Sequence, residues 1–337
     1  MAPPLEADGP FQRSVASAFS RKVPFSSSGS IAISKIPGVP ELPDVELYRS
    51  ALTEFVGGRT IGGVRIGNPF VVRTYDPPIT AVVGRTVRAI RRLGKRLVFD
   101  LDASLFLVVH LMIAGRLRWR EPGAAIPGKI GLLAIDFANG TLLLTEAGSK
   151  RQASVHLVSG EATLGEHDRG GLEVLDADLP AFAARLVTDN HTLKRALTDP
   201  HIFSGIGNAY SDEILHAARL SPMKQTGSLS DVEVERLFHA TRETLRIWIE
   251  RLQSETAGEF PEKVTAFRPQ MAVHGKFGQP CPVCGEPVQR IVYAHNEANY
   301  CARCQTEGRL LSDRALSRLL GRDWPKTLEE MESRKRR

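Results

Sequence analysis

The sequence predicts an α+β protein of several domains, with an N-terminal β-sandwich and its leading helix, a helical domain, and a small C-terminal cysteine module. Three observations support this fold class. Short β-branched and aliphatic runs, separated by Gly, Asp or Asn turns, fill residues 40–162. Over residues 163–275 the apolar period becomes helical. All four cysteines fall between Cys281 and Cys304, within a module predicted over residues 276–310.

The composition excludes some classes of protein and leaves one partner open. The 337 residues suffice for two or three cores, and 42% hydrophobic with 24% charged residues is typical of a globular protein. The longest apolar run, LFLVVHLMIAG, is interrupted by His110 and is shorter than the roughly 18 residues of a membrane span. The net charge of +6 fits a polyanionic partner without requiring one.

Residues 1–39 differ in composition from the rest of the chain. They contain eight serines, several prolines and only two acids. No apolar period persists there, so we expect this segment to be disordered and absent from the mature protein. An Arg- and Ser-rich, acid-poor segment is also typical of a transit peptide, and the sequence leaves that alternative open.

A helix leads the β domain. Apolar residues recur at helical spacing from Val45 to Val56, and Gly57-Gly58 follows as a stop. The next seven strand-like runs predict a sandwich or barrel: RTIGGVRIG, RTVRAIRRLG, KRLVFDLD, SLFLVVHLMIAG, GLLAIDF, TLLLTEAG and ASVHLVSG. Among their connections, Asn139-Gly140 is the strongest hairpin signal.

The helical domain contains a glycine turn between two predicted helices. The turn, Ser204–Asn208, admits positive φ at Gly205 and Gly207 and lets main-chain N–H groups face an anion. Asn208 can cap the second helix and donate to a phosphate oxygen, and Lys194 on the first helix can reach the same backbone. Taken alone, the turn is also consistent with an ordinary helical hairpin.

Two further helices are predicted beyond the glycine turn. A capping box at Ser230 and Glu233 marks the start of a long amphipathic helix that runs towards Leu252. The tail, residues 311–337, contains a short predicted helix at DRALSRLL.

The cysteines have the spacing of a zinc ribbon. Cys281-Pro-Val-Cys284 and Cys301-Ala-Arg-Cys304 are separated by sixteen residues, and two such pairs converge tetrahedrally on Zn²⁺. With four protein ligands there is no open position for water, so one structural zinc ion is predicted. The clustering is unlike the dispersed pairs of a secreted disulfide scaffold, and favours a metal over free thiols or two disulfides.

Five ordered motifs give the chain a family resemblance. They are PELPDVE at 40–46, LGKRLVFDL around Lys95, HLMIAGRL at 110–117, SGIGNAYSDEIL at the glycine turn, and the cysteine module. In this order they resemble the Fpg/Nei (formamidopyrimidine-DNA glycosylase / endonuclease VIII-like) family of bifunctional DNA glycosylases. The resemblance covers nearly all of residues 40–305. It implies that the glycine turn lies in a helix–two-turn–helix DNA-binding domain, and that the PELP segment is a mature N-terminus.

The resemblance implies a chemistry for the opening stretch. A terminal proline is a secondary amine, and its attack on C1′ of a deoxyribose gives an iminium (Schiff-base) intermediate. By resemblance, Pro40 is that nucleophile, and Glu41 moves protons during sugar opening and elimination. Lys95 acts as a second acid, or orients the lesion and its phosphate. Without the motif, Lys95 is equally consistent with a solvated turn lysine.

The resemblance also implies contacts with damaged double-stranded DNA. Excision requires that the base be flipped out of the stack and that the vacated space be filled. His110 and the turn after it then approach the duplex, and Ile113 lies where family members place the methionine that enters the stack. The complete set of predicted DNA-binding residues is His110, Ile113, Arg151, Lys194, Gly207 and Asn208.

Several positions depart from the family pattern. Ile113 stands in place of a methionine, and Lys150 or Arg151 stands in for the arginine of an arginine–phenylalanine pair whose phenylalanine is missing. The family arginine of the zinc hairpin falls near 296–297, which here is Asn-Glu. The connector 255–280 lacks the usual lesion-capping loop of the oxidised-guanine enzymes. These differences remove the grounds for predicting which oxidised base is preferred.

The implied chemistry requires a free ring nitrogen at Pro40. An amide nitrogen shares its lone pair with the carbonyl and cannot form an iminium. We expect translation to begin at Val39, because a GUG codon appears as Val in a conceptual translation yet initiates with methionine. Cleavage between Val39 and Pro40 is a second route, and an intact chain that binds DNA without cutting it is a third.

The sequence therefore predicts a DNA glycosylase with AP-lyase activity on oxidised bases in duplex DNA. It is expected to be a monomer of the bacterial cytoplasm, bound to the nucleoid when engaged and to no membrane. The alternatives are a non-catalytic lesion- or abasic-site-binding protein on the same fold, and a zinc-ribbon protein of the ribosome or polymerase. For the last of these, the set Pro40, Glu41 and Lys95 would be a coincidence.

Overall fold

The computed structural model describes residues 38–148, 150–262, 264–265, 268–293, 296–311 and 325–335. Disorder is expected for residues 1–39, of which only Gly38 and Val39 are described. The predicted helix at DRALSRLL lies outside the described residues.

Helix α1 (Leu42–Val56) leads the β domain, as predicted. It begins directly after Glu41, whose main-chain N–H donates to the Asp44 carboxylate at 3.0 Å. Its apolar face, with Val45 and Tyr48 at its centre, is fully buried. The helix ends at Gly57, at the stop that the sequence predicts.

Eight strands form two antiparallel four-stranded sheets, so the predicted β-sandwich is confirmed. The first sheet has the strand order β1-β6-β7-β5, and the second has the order β2-β3-β4-β8. The strand bounds are β1 (Ile61–Ile66), β2 (Val87–Leu93), β3 (Arg96–Leu101), β4 (Leu105–His110), β5 (Gly115–Arg120), β6 (Gly131–Phe137), β7 (Gly140–Glu146) and β8 (Ser154–Ser159). Alternating aliphatic and aromatic residues of the two sheets meet between them, because successive side chains of a strand point to opposite faces.

Two details of the sandwich differ from the prediction. Strand β5 was not among the predicted strands. The hairpin between β6 and β7 exists, but Phe137 pairs with Gly140, so its two loop residues are Ala138 and Asn139 instead of Asn-Gly. Gly140 lies in the strand, where an added Cβ would come within 2.2 Å of the Trp119 ring. The glycine therefore makes room for the tryptophan and does not serve the turn.

Helix α2 (Glu161–Gly165) packs against β8 of the sandwich. Four helices form the helical domain: α3 (Leu179–Leu186), α4 (Leu193–Thr198), α5 (Asn208–Ala217) and α6 (Asp231–Thr256). The predicted capping box is confirmed, since the main-chain N–H of Ser230 donates to Glu233 at 2.9 Å. Helix α6 packs against both α1 and α5, and so joins the two larger domains.

The C-terminal module contains a hairpin and short helices: β9 (Gln289–Tyr293), β10 (Asn296–Tyr300), α7 (Ala302–Thr306) and α8 (Leu328–Lys335). Helix α5 packs against β10 and α7 and anchors the module to the helical domain. Within the described parts of the chain, no helix is both long enough and apolar enough to cross a membrane.

Candidate active site

The carboxylate of Glu41 lies at the N-terminus of α5. It accepts hydrogen bonds from three main-chain N–H groups, those of Gly207 (2.8 Å), Ala209 (2.8 Å) and Tyr210 (3.1 Å). The first N–H groups of a helix have no partner within the helix, and the helix dipole favours an anion there. Glu41 is only 2% exposed. The anion predicted at the glycine turn is therefore a side chain of the protein itself.

The two glycines of the turn are needed for different reasons. Gly205 has φ +78°, and its carbonyl accepts a hydrogen bond from the Leu42 N–H at 2.9 Å. The prediction of positive φ at Gly207 is wrong, because its φ is −132°. An added Cβ at Gly207 would instead lie 2.4 Å from Cδ of Glu41 and 2.5 Å from Nζ of Lys95. Only a residue without a side chain leaves room for both groups.

Lys95 reaches the same point from the β domain. It lies in the two-residue turn between β2 and β3, as the sequence predicts, and its Nζ faces the backbone of Gly207 beside Glu41. Burial lowers the pKa of Lys95; the Glu41 carboxylate raises it and the Lys194 ammonium lowers it further. The site thus combines an oriented carboxylate with an amine whose proton is held less tightly than usual.

Pro40 is buried immediately before these groups. In the sequence its nitrogen is acylated by Val39, and the residue before that is held in place: the Gly38 carbonyl accepts a hydrogen bond from Nη2 of Arg116 at 3.1 Å. Nη1 of Arg116 donates to the main-chain carbonyls of Ile113 and Gly115. Burial lowers the pKa of Arg116. Sequence reasoning did not single out this arginine.

Three of the predicted DNA-binding residues lie on the β domain. His110 ends β4 and is half-buried, and its pKa is lowered to about 4 by burial and then by the neighbouring cations Arg96 and Lys95. Ile113 is 41% exposed in the turn between β4 and β5. Arg151 is exposed, and its Nη2 donates to the Lys129 carbonyl at 2.5 Å.

The other three lie around the start of α5. The predicted reach of Lys194 is observed, since its Nζ donates to the Asn208 carbonyl (2.6 Å) and to Asp212 (2.5 Å). Asn208 is the first residue of α5 and not its cap, which is Gly207. The Gly207 N–H is engaged by Glu41. The side chain of Asn208 is half-exposed, whereas the ammonium of Lys194 is buried in its ion pair.

Two acids of α5, missed by sequence reasoning, bind the C-terminal half of the chain. Asp212 accepts from Nδ1 of His274 (2.8 Å) and from the Asn299 amide (3.2 Å). Glu213 accepts three main-chain N–H bonds over residues 272–274, at 2.7–2.9 Å. Both acids sit in the predicted motif NAYSDEIL, and their signal is that two adjacent acids on a buried helix require partners.

The four cysteine sulfurs converge on one point. Their Sγ atoms all lie within 4.8 Å of one another, with separations of 3.9 Å between Cys281 and Cys304 and 3.4 Å between Cys284 and Cys301. A tetrahedron of sulfurs about 2.3 Å from a zinc ion has edges of about 3.8 Å. The cluster fits this geometry and holds a structural zinc ion, with all four ligands supplied by protein.

Three family models match the chain, one each over the β domain, the helical domain and the cysteine module. The models of the formamidopyrimidine-DNA glycosylase N-terminal domain, of the formamidopyrimidine-DNA glycosylase H2TH domain and of the zinc finger found in FPG and IleRS match residues 39–151, 172–258 and 278–306. The formamidopyrimidine-DNA glycosylase of Thermus thermophilus is 33% identical over 281 residues, which are 80% of this chain and 100% of the relative.

The chain belongs to the formamidopyrimidine-DNA glycosylase family. The family member of Symbiobacterium thermophilum is likewise 33% identical, over 294 residues that make up 82% of this chain and 93% of that one. The match to the N-terminal domain begins at Val39, one residue before Pro40.

Solved structures of the family share the fold. A variant of Lactococcus lactis FPG in complex with Fapy-dG-containing DNA has a TM-score of 0.71 and 27% identity, over 79% of this chain and 100% of that one. A complex of Lactococcus lactis Fpg with abasic-site DNA has a TM-score of 0.70 at 27% identity, over 79% and 99% of the two chains.

Proposed function

We propose that this family member is a DNA glycosylase and AP lyase of base excision repair, which removes oxidised bases from duplex DNA. The main support is the position of Glu41, locked by three N–H groups beside Lys95 and adjacent in sequence to Pro40. The names of the relatives and the DNA complexes of the Lactococcus lactis protein support the substrate class. We further propose that it acts as a monomer on the nucleoid in the bacterial cytoplasm.

The first half of the reaction forms a bond between protein and sugar. The unprotonated ring nitrogen of Pro40 attacks C1′ of the damaged nucleotide, and the bond from C1′ to the base breaks, the departing base anion taking a proton from water. The C1′–O4′ bond then opens. The Glu41 carboxylate takes the proton of the nitrogen and passes it to O4′, and the nitrogen becomes the iminium nitrogen.

The second half breaks the strand. A base removes a proton from C2′, and the electron pair expels the 3′ phosphate in a β-elimination, with a δ-elimination of the 5′ phosphate as the further step. Water adds to the iminium and releases Pro40 as a free amine. Lys95 suits proton transfer here because burial lowers its pKa, which brings its neutral form closer to physiological pH.

The predicted DNA-binding residues differ in whether their side chains or donors are free to contact DNA. Ile113 is the exposed apolar side chain of its turn and is suited to enter the space left by a flipped base. We propose phosphate or duplex contacts for His110, Arg151 and Asn208. Lys194 and Gly207 act indirectly, since their donors are occupied by Asp212, Asn208 and Glu41, and they position the start of α5.

A non-catalytic lesion-binding protein is the second candidate. The observation that favours it is the amide between Val39 and Pro40, with Gly38 fixed by Arg116. An acylated nitrogen cannot form the iminium. If the chain keeps its first residues, the same surface binds damaged DNA without cutting it.

Borohydride trapping on abasic-site DNA tests the proposal. The two proteins are the full chain and a chain whose N-terminus at Pro40 is verified by intact mass; the latter keeps nearly all of the compact unit from Pro37 to Arg337. We expect a covalent adduct from the second protein and none from the first, their DNA affinities being similar. No adduct from a Pro40-terminal chain that binds the DNA favours the binding protein. Strand nicking by the acylated full chain contradicts the mechanism.

A further inference from the structure

The outer face of the second sheet ends, next to Lys95, in a cluster of Arg96, His110, His156 and His167, which we call the histidine patch. Arg96 pairs with His110 across β3 and β4, and His110 pairs with Ser154 across β4 and β8. Directly paired residues of an antiparallel sheet share a face, and His156 follows Ser154 by two residues, so its side chain lies on that face as well.

His167 closes the patch from the chain that follows α2. Its ring meets that of His156 edge to face, with centroids 4.8 Å apart, and its carbonyl accepts from Nη1 of Arg96 at 3.0 Å. Beyond the patch, the same sheet face carries an apolar cluster that is buried together with Leu164 of α2. The patch thus marks the place where the helical cover of the sheet stops and polar side chains reach solvent.

The patch carries hydrogen-bond donors and a positive charge, and no carboxylate is paired with its arginine among the described residues. Among the residues that the structure describes, no carboxylate forms an ion pair with Arg96, and no group hydrogen-bonds the imidazole nitrogens of the three histidines. The surrounding charged groups are the cations Lys95, Arg73 and Arg169 and the acids Glu166 and Asp168. Asp168 already accepts the Gly170 N–H at 2.8 Å.

The lowered pKa values of two of the histidines agree with this surplus of positive charge. Burial and the neighbouring cations lower the pKa of both His110 and His156 to about 4. These imidazoles are therefore neutral at physiological pH and retain one N–H donor each. A guanidinium flanked by neutral N–H donors matches the oxygens of a phosphodiester, which accept several charge-assisted hydrogen bonds.

We infer that the histidine patch binds a backbone phosphate of the DNA, next to the part of the DNA strand that enters the active site at Lys95. The inference rests on the proposed function for the identity of its partner. It adds Arg96, His156 and His167 to the predicted DNA-binding residues, of which only His110 lies in the patch. The patch is half-exposed and open, which suits a phosphate of a polymer better than an enclosed small ligand.

A metal ion is not the occupant. Among the described residues, only the four cysteines bring three or more ligand atoms of His, Cys, Asp or Glu together at metal-binding distance. The three imidazoles are too dispersed to coordinate one ion, whereas a phosphodiester has several oxygens and can be contacted from different sides.

The salt dependence of DNA binding by the full chain tests the inference. We compare the wild type with Arg96→Gln, His156→Gln and the double variant, on undamaged and on abasic-site duplex. In Arg96→Gln, loss of the charged phosphate contact lowers the slope of log Kd against log salt by about 0.9 and weakens binding uniformly on both duplexes. In His156→Gln, loss of a neutral donor weakens binding and leaves the slope unchanged. Arg96→Lys, which keeps the charge, should retain most of the slope. Arg236→Gln, at an exposed arginine of α6, is the matched control.

Two outcomes overturn the inference. The first is a wild-type slope in the double variant, with melting temperature and zinc content unchanged. The second is an equal loss of slope in Arg236→Gln, which would reflect only the overall charge. A third result also contradicts the assignment to DNA. If inorganic phosphate at constant ionic strength binds the wild type and not the double variant, while the two proteins have the same slope for DNA, the patch is a site for free phosphate.

The same experiment separates this inference from the proposed function. If the patch variants change the slope but a Pro40-terminal chain gives no borohydride adduct, the proposed Schiff-base chemistry is wrong and the inference about the patch stands. An unchanged slope, together with normal trapping, refutes the patch and leaves the chemistry intact.

Discussion

The Glu41 carboxylate accepts a hydrogen bond of 2.8 Å from the main-chain N–H of Ala209, which lies 168 residues further along the chain. This bond joins the start of the β domain to the start of α5. The orientation of the carboxylate is therefore set by the helical domain, and the chemistry of the opening stretch depends on the glycine turn as much as on Pro40. The two larger domains form one site.

Replacing Glu41 by Gln should abolish most strand nicking. The amide cannot give up a proton to O4′, and its NH₂ group faces main-chain donors instead of accepting from them. In a Pro40-terminal chain we expect single-turnover nicking of abasic-site DNA to fall by roughly 10²–10⁴-fold. Glu41→Asp, which keeps the charge on a shorter side chain, should lose less. Equal nicking rates for Glu41→Gln and the wild type would contradict the role of this residue.

Adding a methyl group at Gly207 should damage both stability and activity. The new Cβ would lie 2.4 Å from Cδ of Glu41 and 2.5 Å from Nζ of Lys95. Overpacking of this kind costs about 1–3 kcal/mol, and here it also displaces both groups. Urea unfolding and nicking assays measure the two effects. Gly165→Ala, in α2 with open space around it, is the control and should lower neither stability nor activity.

Breaking the pair of Lys194 and Asp212 should destabilise the protein strongly. Both side chains are buried, and Asp212 also binds His274 and Asn299. Lys194→Met leaves a buried carboxylate short of charge compensation, which costs about 3–5 kcal/mol of unfolding free energy. Lys224→Met removes the more exposed pair with Glu233 and should cost less than about 1 kcal/mol. Similar costs in the two variants would show that burial is not decisive.

Removal of zinc should unfold the C-terminal module. Its core is the small apolar cluster of Val273 and Val288 around the cysteines, too small to replace the energy of metal binding. A chelator should lower the melting temperature, and zinc should restore it. Cys284→Ser should show the same loss without chelator. Unchanged melting after verified loss of the metal would mean that α5 alone holds the module.

The elements that the sequence predicted are those with a strong period. Helix α1 and the strands before and after β5 have long apolar patterns. Strand β5, Gly-Arg-Leu-Arg-Trp-Arg, alternates correctly but contains only two apolar residues, so its pattern resembled a charged loop. The glycine turn showed where an anion would bind, yet nothing local indicates that the anion is Glu41, 166 residues before Gly207. Contacts of that range depend on how domains pack.

The histidine patch shows the same limit at shorter range. Arg96, His110 and His156 lie on three strands and meet only through their register, and His167 joins them from a loop. A strand can be predicted from alternation, but its register depends on turns and partner strands. Sequence reasoning therefore found His110, through its motif, and missed the others.

The stability of the protein should fall as the pH is lowered from about 6.5 to 4. In the folded protein the pKa of His110 and of His156 is lowered to about 4, by burial and by cations that include Arg96. The unfolded chain, with histidine pKa near about 6.5, binds more protons in this window, so acid favours unfolding. Melting temperature measured against pH checks this, and the variant His110→Gln/His156→Gln should show a flatter profile. A profile as steep as that of the wild type would mean that other groups are responsible.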